Sequence, residues 1–348
     1  MVHSHADSKF KKVCKVVDKT YAKLKSKKMG KLPTYIPSLA NGDPNNFAIS
    51  FTTVDGRQHS IGSSSQKVTI QSISKLFVLA QAIEERGLTA VNSYVGLEGN
   101  PFPFNSLTGA VLTPSKTISP FTNQGALVTT GLLYGKGGSE YEKRIVSKVC
   151  EFTDSTCHVN KSVAASDLQR NTKNRALAWI MASYGKLQSP VEEVVDVYTK
   201  QCAVEVDSKD LSVAGATLAN GGLNPITNKQ VVSKRSAVYT IRYLKSVTLP
   251  NADLKWDVRV GSVPVKSGVG GGMLIVINGV GGLGIVSPPL TKEGISAKGY
   301  AAAVPITRSI VKTYVPSRYP GYASTANRSR KTKRKGKTKG PSTLRKTK

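Results

Sequence analysis

Phe10, Val13, Val17, Tyr21 and Leu24 recur at three- and four-residue spacing, with lysines filling the other positions. That pattern predicts a basic amphipathic helix ending near Gly30, with its apolar stripe docked on a body and its lysines solvated. Two short runs follow, Phe47 to Val54 and Arg57 to Gly62, split by Asp55-Gly56; they predict a β-hairpin. Gln71 to Arg86 reads as a helix stopped by Gly87. Helical spacing returns over Arg175 to Ser183, Val191 to Lys200, Leu211 to Asn220 and Ser236 to Leu244. Beyond Asp257 the pattern predicts strands at Val258 to Val265, Met273 to Val280 and Leu283 to Val286. Ala301 to Tyr314 reads as a closing helix, with Pro305 in its early part.

Strands at both ends of the body and helices between them suit one mixed, mainly antiparallel sheet flanked by helices, an α/β chain of the α+β type with an inserted helical lobe. The expected divisions are a helical arm over 1–31, a globular domain over 32–316 and a tail over 317–348. Within the domain, 32–70 and 257–316 build the sheet part and 71–256 the lobe.

Charge changes this picture at the ends. The 348 residues carry 50 basic and 21 acidic side chains, a net of +29. Residues 1–31 hold +8 and residues 328–348 hold +11, so the body is only moderately basic. The tail is rich in Gly, Ser, Thr, Lys and Arg and buries too little apolar surface to fold alone. From Arg328 onward it lacks interleaved aromatics, which argues against base-specific readout and fits salt-sensitive contact with phosphate or another polyanion, or a solubilising or targeting role. Cys14, Cys150, Cys157 and Cys202 form neither a metal-ligand pattern nor a disulfide framework. No secretory leader and no apolar run of about 18 residues is present, so a reducing, intracellular, cytoplasmic setting is expected.

Ser72-Ile73-Ser74-Lys75 is a Ser-x-x-Lys at the opening of a helix. Residues three apart share a helix face, so a desolvated lysine there can take the serine's proton, and the helix N-terminus supplies backbone donors for developing negative charge. The same spacing recurs at Ser8, Ser64, Ser183 and Ser309, none of which opens a helix behind a strand pair. Taken alone the motif equally describes an N-cap serine and a surface lysine. Lys266-Ser267-Gly268, followed by Val269 and three glycines, supplies a second element. It resembles the Lys-Thr-Gly strand that accompanies Ser-x-x-Lys in penicillin-recognising enzymes.

Further blocks make the resemblance specific. Tyr35-Ile36-Pro37-Ser38-Leu39, Gln71-Ser72-Ile73-Ser74-Lys75, Phe104-Asn105-Ser106 and Asn123-Gln124-Gly125-Ala126 occur in order, then Asn174-Arg175-Ala176, Cys202-Ala203-Val204-Glu205-Val206 and Lys266-Ser267-Gly268-Val269. Over roughly Leu32 to Val311 the chain resembles the serine-dependent glutaminases, of β-lactamase-like fold. The resemblance implies a site in the cleft between sheet and lobe, with no metal and no organic cofactor. It implies Ser72 as nucleophile, Lys75 as its activating base, and Tyr35 and Gln71 beside them. Asn123, Asn174 and Tyr198 would hold L-glutamine, and the Val269 N–H would stabilise an oxyanion.

Two positions depart from the family pattern. Asp167 stands where the family has a glutamate that suits the substrate's α-ammonium, leaving the carboxylate about 1.5 Å shorter. Pro250 stands where the family has a catalytic tyrosine, and Tyr243 is the nearest upstream phenol. Two functions therefore fit the sequence. One is hydrolysis of L-glutamine to L-glutamate and ammonia through a Ser72 acyl-enzyme. The other is a catalytically degenerate scaffold, anchored by its basic ends in a nucleic-acid-containing assembly such as a virion. A homo-oligomer or larger assembly is compatible with both.

Overall fold

The computed structural model describes residues 2–34, 36–97, 102–112, 118–135, 137–153, 155–187, 189–246 and 253–315; at 2–5 and 253–255 it describes the backbone alone. The chain opens with helix α1 (Val2–Leu24), then strands β1 (Ala48–Thr53), β2 (Gln58–Gly62) and β3 (Val68–Thr69). The lobe contains α2 (Ser74–Arg86), α3 (Asn123–Leu132), α4 (Gly138–Phe152), α5 (Lys161–Leu168), α6 (Thr172–Ser183) and α7 (Val191–Cys202). It continues through β4 (Glu205–Val206), α8 (Ser208–Ala219) and α9 (Lys234–Lys245). The chain then returns through α10 (Asp253–Val260), β5 (Val265–Ser267), β6 (Gly272–Ile277), β7 (Gly281–Val286) and α11 (Ala297–Tyr314). Shorter helical turns lie between several of these.

Five strands form one antiparallel sheet in the order β2-β1-β7-β6-β5, so the N-terminal hairpin pairs with the C-terminal strands as the sequence pattern predicts. Helices cover both faces, which is why β1, β6 and β7 are buried along their whole length. Strand β1 shows the division of labour. Ile49 and Phe51 point into the apolar layer under α1 and α11, beside Val13, Val17, Ile306 and Ile310. Ser50 and Thr52 point the other way and hydrogen-bond Ser208 and Ser212 of α8 at 2.8 and 2.7 Å.

Helix α8 lies on the backbone of β7 because β7 has no side chains in its path. A Cβ added at Gly284 would sit 2.2 Å from the Ser208 carbonyl oxygen and 2.6 Å from the Ser212 nitrogen. Gly284→Ala is therefore expected to force α8 off the sheet and cost about 1–3 kcal/mol, the range for overpacking a close-packed interior. A lower midpoint in urea with an unchanged slope checks it.

Helix α1 docks as its stripe demands. Val13 and Val17 are fully buried, Tyr21 stacks on Phe47 at 5.2 Å between ring centroids, and Phe10 stacks on Phe51 at 6.0 Å. Lys11, Lys12, Lys15, Lys19 and Lys23 are exposed, and Asp18 meets His59 of β2 at 2.7 Å. One predicted element is wrong. Val258 to Val265 is not a strand: its first half belongs to α10, and only Val265–Ser267 pairs in the sheet. The alternation of Val258, Val260, Val263 and Val265 is overridden by the four-residue spacing of Trp256 and Val260. Both are buried, Trp256 packs against Tyr300, and Val258 is left 77% exposed. Gly261, at φ +69, stops the helix.

A second, smaller sheet joins the two halves. Val68 and Thr69 of β3 pair antiparallel with Val206 and Glu205 of β4, and the Ile70 N–H donates to the Val204 carbonyl at 2.8 Å. The outer side of the same segment bridges Val204 to Val159. Ser72 follows β3 by three residues, so this sheet is the shelf on which the helix-opening serine stands.

Candidate active site

The turn from β3 into α2 is tight. Gln71 takes φ +51, a left-handed conformation that side chains other than glycine adopt sparingly, and its amide nitrogen donates back to Thr69 Oγ1 at 3.1 Å. This turn leaves Ser72 partly accessible on a single 3-10 turn while Gln71 and Ile73 on either side are buried. Lys75 follows on the first turn of α2 and is 1% exposed.

Lys75 is held by two acceptors, Asn123 Oδ1 at 2.7 Å and the Phe121 carbonyl at 3.3 Å. Burial drives its pKa down to about 7, helped by the neighbouring Lys266 charge. A neutral amine has two hydrogens and one lone pair. With both hydrogens spent on Asn123 and Phe121, the lone pair is left to accept a proton. Among the described residues no hydrogen bond joins Lys75 Nζ to Ser72 Oγ, and apo sites commonly close such contacts only around substrate.

Asn123 opens α3, with Thr122 capping the helix through its hydroxyl. Its carbonyl oxygen takes the Lys75 amine and the Tyr198 hydroxyl, the latter at 3.4 Å, while its amide nitrogen donates to Asn174 Oδ1 at 2.9 Å. Four helices, α2, α3, α6 and α7, thus converge on one side-chain amide. The Tyr198 ring lies 6.0 Å from the Lys75 nitrogen, and Ser74 reaches Cys202 Sγ at 3.8 Å behind it. Asp167, on α5, is half-buried and makes no ion pair with another described residue; burial raises its pKa. Its helix α5 packs against α7, the helix that carries Tyr198.

The opposite wall is the Lys266-Ser267-Gly268-Val269 segment, where β5 turns toward β6. It runs backbone to backbone against the shelf: a Cβ at Gly270 would lie 2.1 Å from the Thr69 carbonyl oxygen. The turn is closed by Gly271 N–H to the Gly268 carbonyl at 2.9 Å and Gly268 N–H to the Gly272 carbonyl at 3.0 Å, while the Val269 N–H meets no backbone acceptor among the described residues.

The structure thus brings together Gln71, Ser72, Lys75, Asn123, Asn174 and Tyr198, with Asp167 and Val269 on the flanking walls. Tyr35 and Pro250 lie outside the described residues. Tyr243 does not stand in for a catalytic phenol. It is buried on α9, its hydroxyl bonds Asn92, and among the described residues no hydrogen bond joins it to Ser72 or Lys75.

The electrostatic part played by Lys266 has no signal in residue spacing. Its pKa is pushed down to about 8 by burial, its amine donates to the Ser267 carbonyl at 3.0 Å, and its charge lowers Lys75. Lys266→Gln removes a cation that disfavours protonated Lys75, so the acidic limb of kcat/KM is expected to move to higher pH. A pH–rate profile with an unmoved limb would remove Lys266 from this role. Among the described residues no group of three metal-ligating side chains converges, and no helix is long and apolar enough to cross a membrane.

Comparison with known proteins places this arrangement. A family model described as Glutaminase matches residues 30–313. "Glutaminase 1" of Shigella flexneri is 35% identical over 299 residues, covering 86% of this chain and 96% of that protein. "Glutaminase 2" of Bradyrhizobium diazoefficiens is 35% identical over 311 residues, and the match spans 86% of this chain but 49% of that longer protein. Among solved structures, "Probable glutaminase ybaS" superposes with a TM-score of 0.83 at 35% identity, covering 86% of this chain and 97% of that one. The glutamate form of Mglu superposes with a TM-score of 0.78 at 34% identity, covering 86% and 68%.

Proposed function

This chain belongs to the glutaminase family, and we propose that it hydrolyses the side-chain amide of L-glutamine to L-glutamate and ammonia through an ester on Ser72. The observation that carries this reading is the state of Lys75. A lysine that titrates near 7 and has both amine hydrogens engaged is a base at neutral pH, one helical turn from a partly accessible serine. Ser72 Oγ attacks the amide carbon as Lys75 takes its proton. The Ser72 and Val269 N–H groups receive the oxyanion. The protonated Lys75 returns the proton to the departing ammonia, and water, activated the same way, cleaves the ester.

Asn123, Asn174 and Tyr198 suit the glutamine head group and amide, since together they offer donors and acceptors in a fixed array. Asp167 is a half-buried carboxylate on α5, a helix that packs against the Tyr198 helix α7, and it suits the α-ammonium. Asp167→Asn is expected to raise KM for glutamine about 10–100-fold, the ~1.5–3 kcal/mol of a hydrogen bond to a charged group, with kcat less affected. An unchanged KM removes Asp167 from the pocket.

The exposed lysines of α1 extend the basic character of both ends, and contact with a polyanion through the termini is the partner reading they support. The scaffold reading gains no observation here, since a pure scaffold has no use for a desolvated lysine beside an accessible serine. Purified protein is expected to release one ammonia and one glutamate per glutamine consumed, measured by coupled assay. Absence of release at any pH between 6 and 9 overturns the proposal.

A further inference from the structure

On the face of the sheet away from the lobe, α1 packs beside α11, and a groove of about 470 Å³ runs between them. Its size falls within the roughly 300–1,000 Å³ of small-molecule sites. The floor is apolar for a reason that starts in the sequence. Val16, Thr20 and Leu24 follow at four-residue spacing on α1, and Ala301 and Pro305 do the same on α11. Deeper in, Val13 and Val17 fill the layer shared with Ile306 and Ile310. Along the groove Thr20, Ala301 and Pro305 are short, so the two helices leave a trough above that packed layer. Met29, beyond the end of α1, adds its thioether to the lining.

The rim carries one sign of charge. Lys19 and Lys23 on α1 and Lys27 beyond its end also recur every four residues, and no acidic side chain lines the groove. All three lysines are exposed, and none forms an ion pair with another described residue, whereas Lys11, Lys148 and Lys200 elsewhere are paired with carboxylates. Unpaired ammoniums above an apolar floor complement an anion joined to hydrocarbon, and the lysine stems extend the apolar wall. A bilayer surface fits less well. Helix α1 spends its apolar stripe on the body, and none of the large apolar side chains exposed among the described residues lies on α1 or α11. A nucleic acid would meet the lysines but would leave the floor unused. The family match begins at residue 30, so the α1 wall of the groove lies outside the matched range.

We propose that this groove binds a single-chain amphipathic anion, a fatty carboxylate. Its hydrocarbon lies along Val16, Leu24, Ala301 and Pro305, and its carboxylate sits among Lys19, Lys23 and Lys27. Removal of hydrocarbon from water supplies the affinity, and the lysines select the sign of the head group. Salt weakens the second contribution and not the first. The site is separate from the catalytic cleft, because α8 and the lobe occupy the opposite face of the sheet.

The test titrates the full chain, carrying carbon-13 at its methionine methyls, with sodium dodecanoate below its micelle concentration. The chain has four methionines, so the spectrum is simple, and only Met29 lines the groove. Its methyl signal is expected to shift saturably, while that of Met181, buried in the lobe, stays in place. Calorimetric affinity should strengthen up to about fourfold per methylene from octanoate to dodecanoate. Dodecyltrimethylammonium, which has the same chain and the opposite charge, should leave Met29 unmoved. Combined Lys19→Gln, Lys23→Gln and Lys27→Gln should weaken dodecanoate binding about tenfold, as the loss of three exposed ion pairs implies, with an unchanged urea midpoint. Ala301→Phe, which fills the floor, should abolish it; if that variant unfolds, the lysine variant decides alone. An unmoved Met29, affinity independent of chain length, equal binding of the cationic amphiphile, or undiminished binding by the lysine variant would each overturn the proposal. So would binding to anionic phospholipid vesicles with no response to dodecanoate, which would assign the lysines to a membrane surface. None of these readings involves ammonia release, so the amide-hydrolysis reading and this one stand or fall separately.

Discussion

Ser72→Ala is expected to lower ammonia release from L-glutamine by on the order of 10⁶-fold, to the level left by binding and the oxyanion donors alone. The size follows from what the serine is asked to do. With Oγ present, water attacks an ester after the amide has already been broken; without it, water must attack the amide directly in a site arranged for another nucleophile. The substitution removes one atom from a partly accessible position that makes no hydrogen bond with another described residue. Its unfolding midpoint should therefore match the wild type within about 0.5 kcal/mol. Glutamine binding by calorimetry should survive, because Asn123, Asn174 and Tyr198 hold one another without help from Ser72. A variant that folds, binds and still turns over at more than a hundredth of the wild-type rate would show that another group is the nucleophile.

The sequence carried much of this site, and the residues show where its reach ended. The Ser-x-x-Lys and Lys-Ser-Gly elements meet across the cleft because each sits at the end of a strand, and strand-helix-strand patterning is visible in spacing alone. The blocks quoted for the family resemblance contain Asn123 and Asn174, which the structure joins at 2.9 Å. Three features had no local signal. Val258 to Val265 reads as a strand because its closely spaced valines suit either period over a short run, whereas its first residues end the helix Asp253–Val260, whose buried Trp256 packs against α11. The shelf sheet has two residues in each named strand, too few for any periodicity to register. The field of Lys266 on Lys75 depends on which elements the fold stacks together, and spacing along the chain does not encode that.

Lys75→Met should separate activity from stability in opposite directions. Methionine fills the same unbranched volume but has no proton acceptor of use, so kcat/KM is expected to fall by about 10²–10⁴-fold, the usual worth of a general base. The wild-type profile should rise with pH through about 7, where Lys75 loses its proton in the free protein, and this limb should vanish in the variant. Stability runs the other way. Native Lys75 titrates near 7, against about 10.5 when exposed, so between these values the unfolded chain binds a proton that the native state does not. Wild-type stability should therefore climb across pH 7 to 10 through this group, and Lys75→Met should flatten that contribution. Below pH 7 the native protein must carry a buried charge, and there the variant should resist urea most clearly in comparison with the wild type. Folding alone gives no reason to keep a lysine at this position, where an apolar side chain would be more stable. A wild-type limb that persists near pH 7 in Lys75→Met would assign the base to another residue; equal urea midpoints at pH 6 would show that Lys75 is not desolvated.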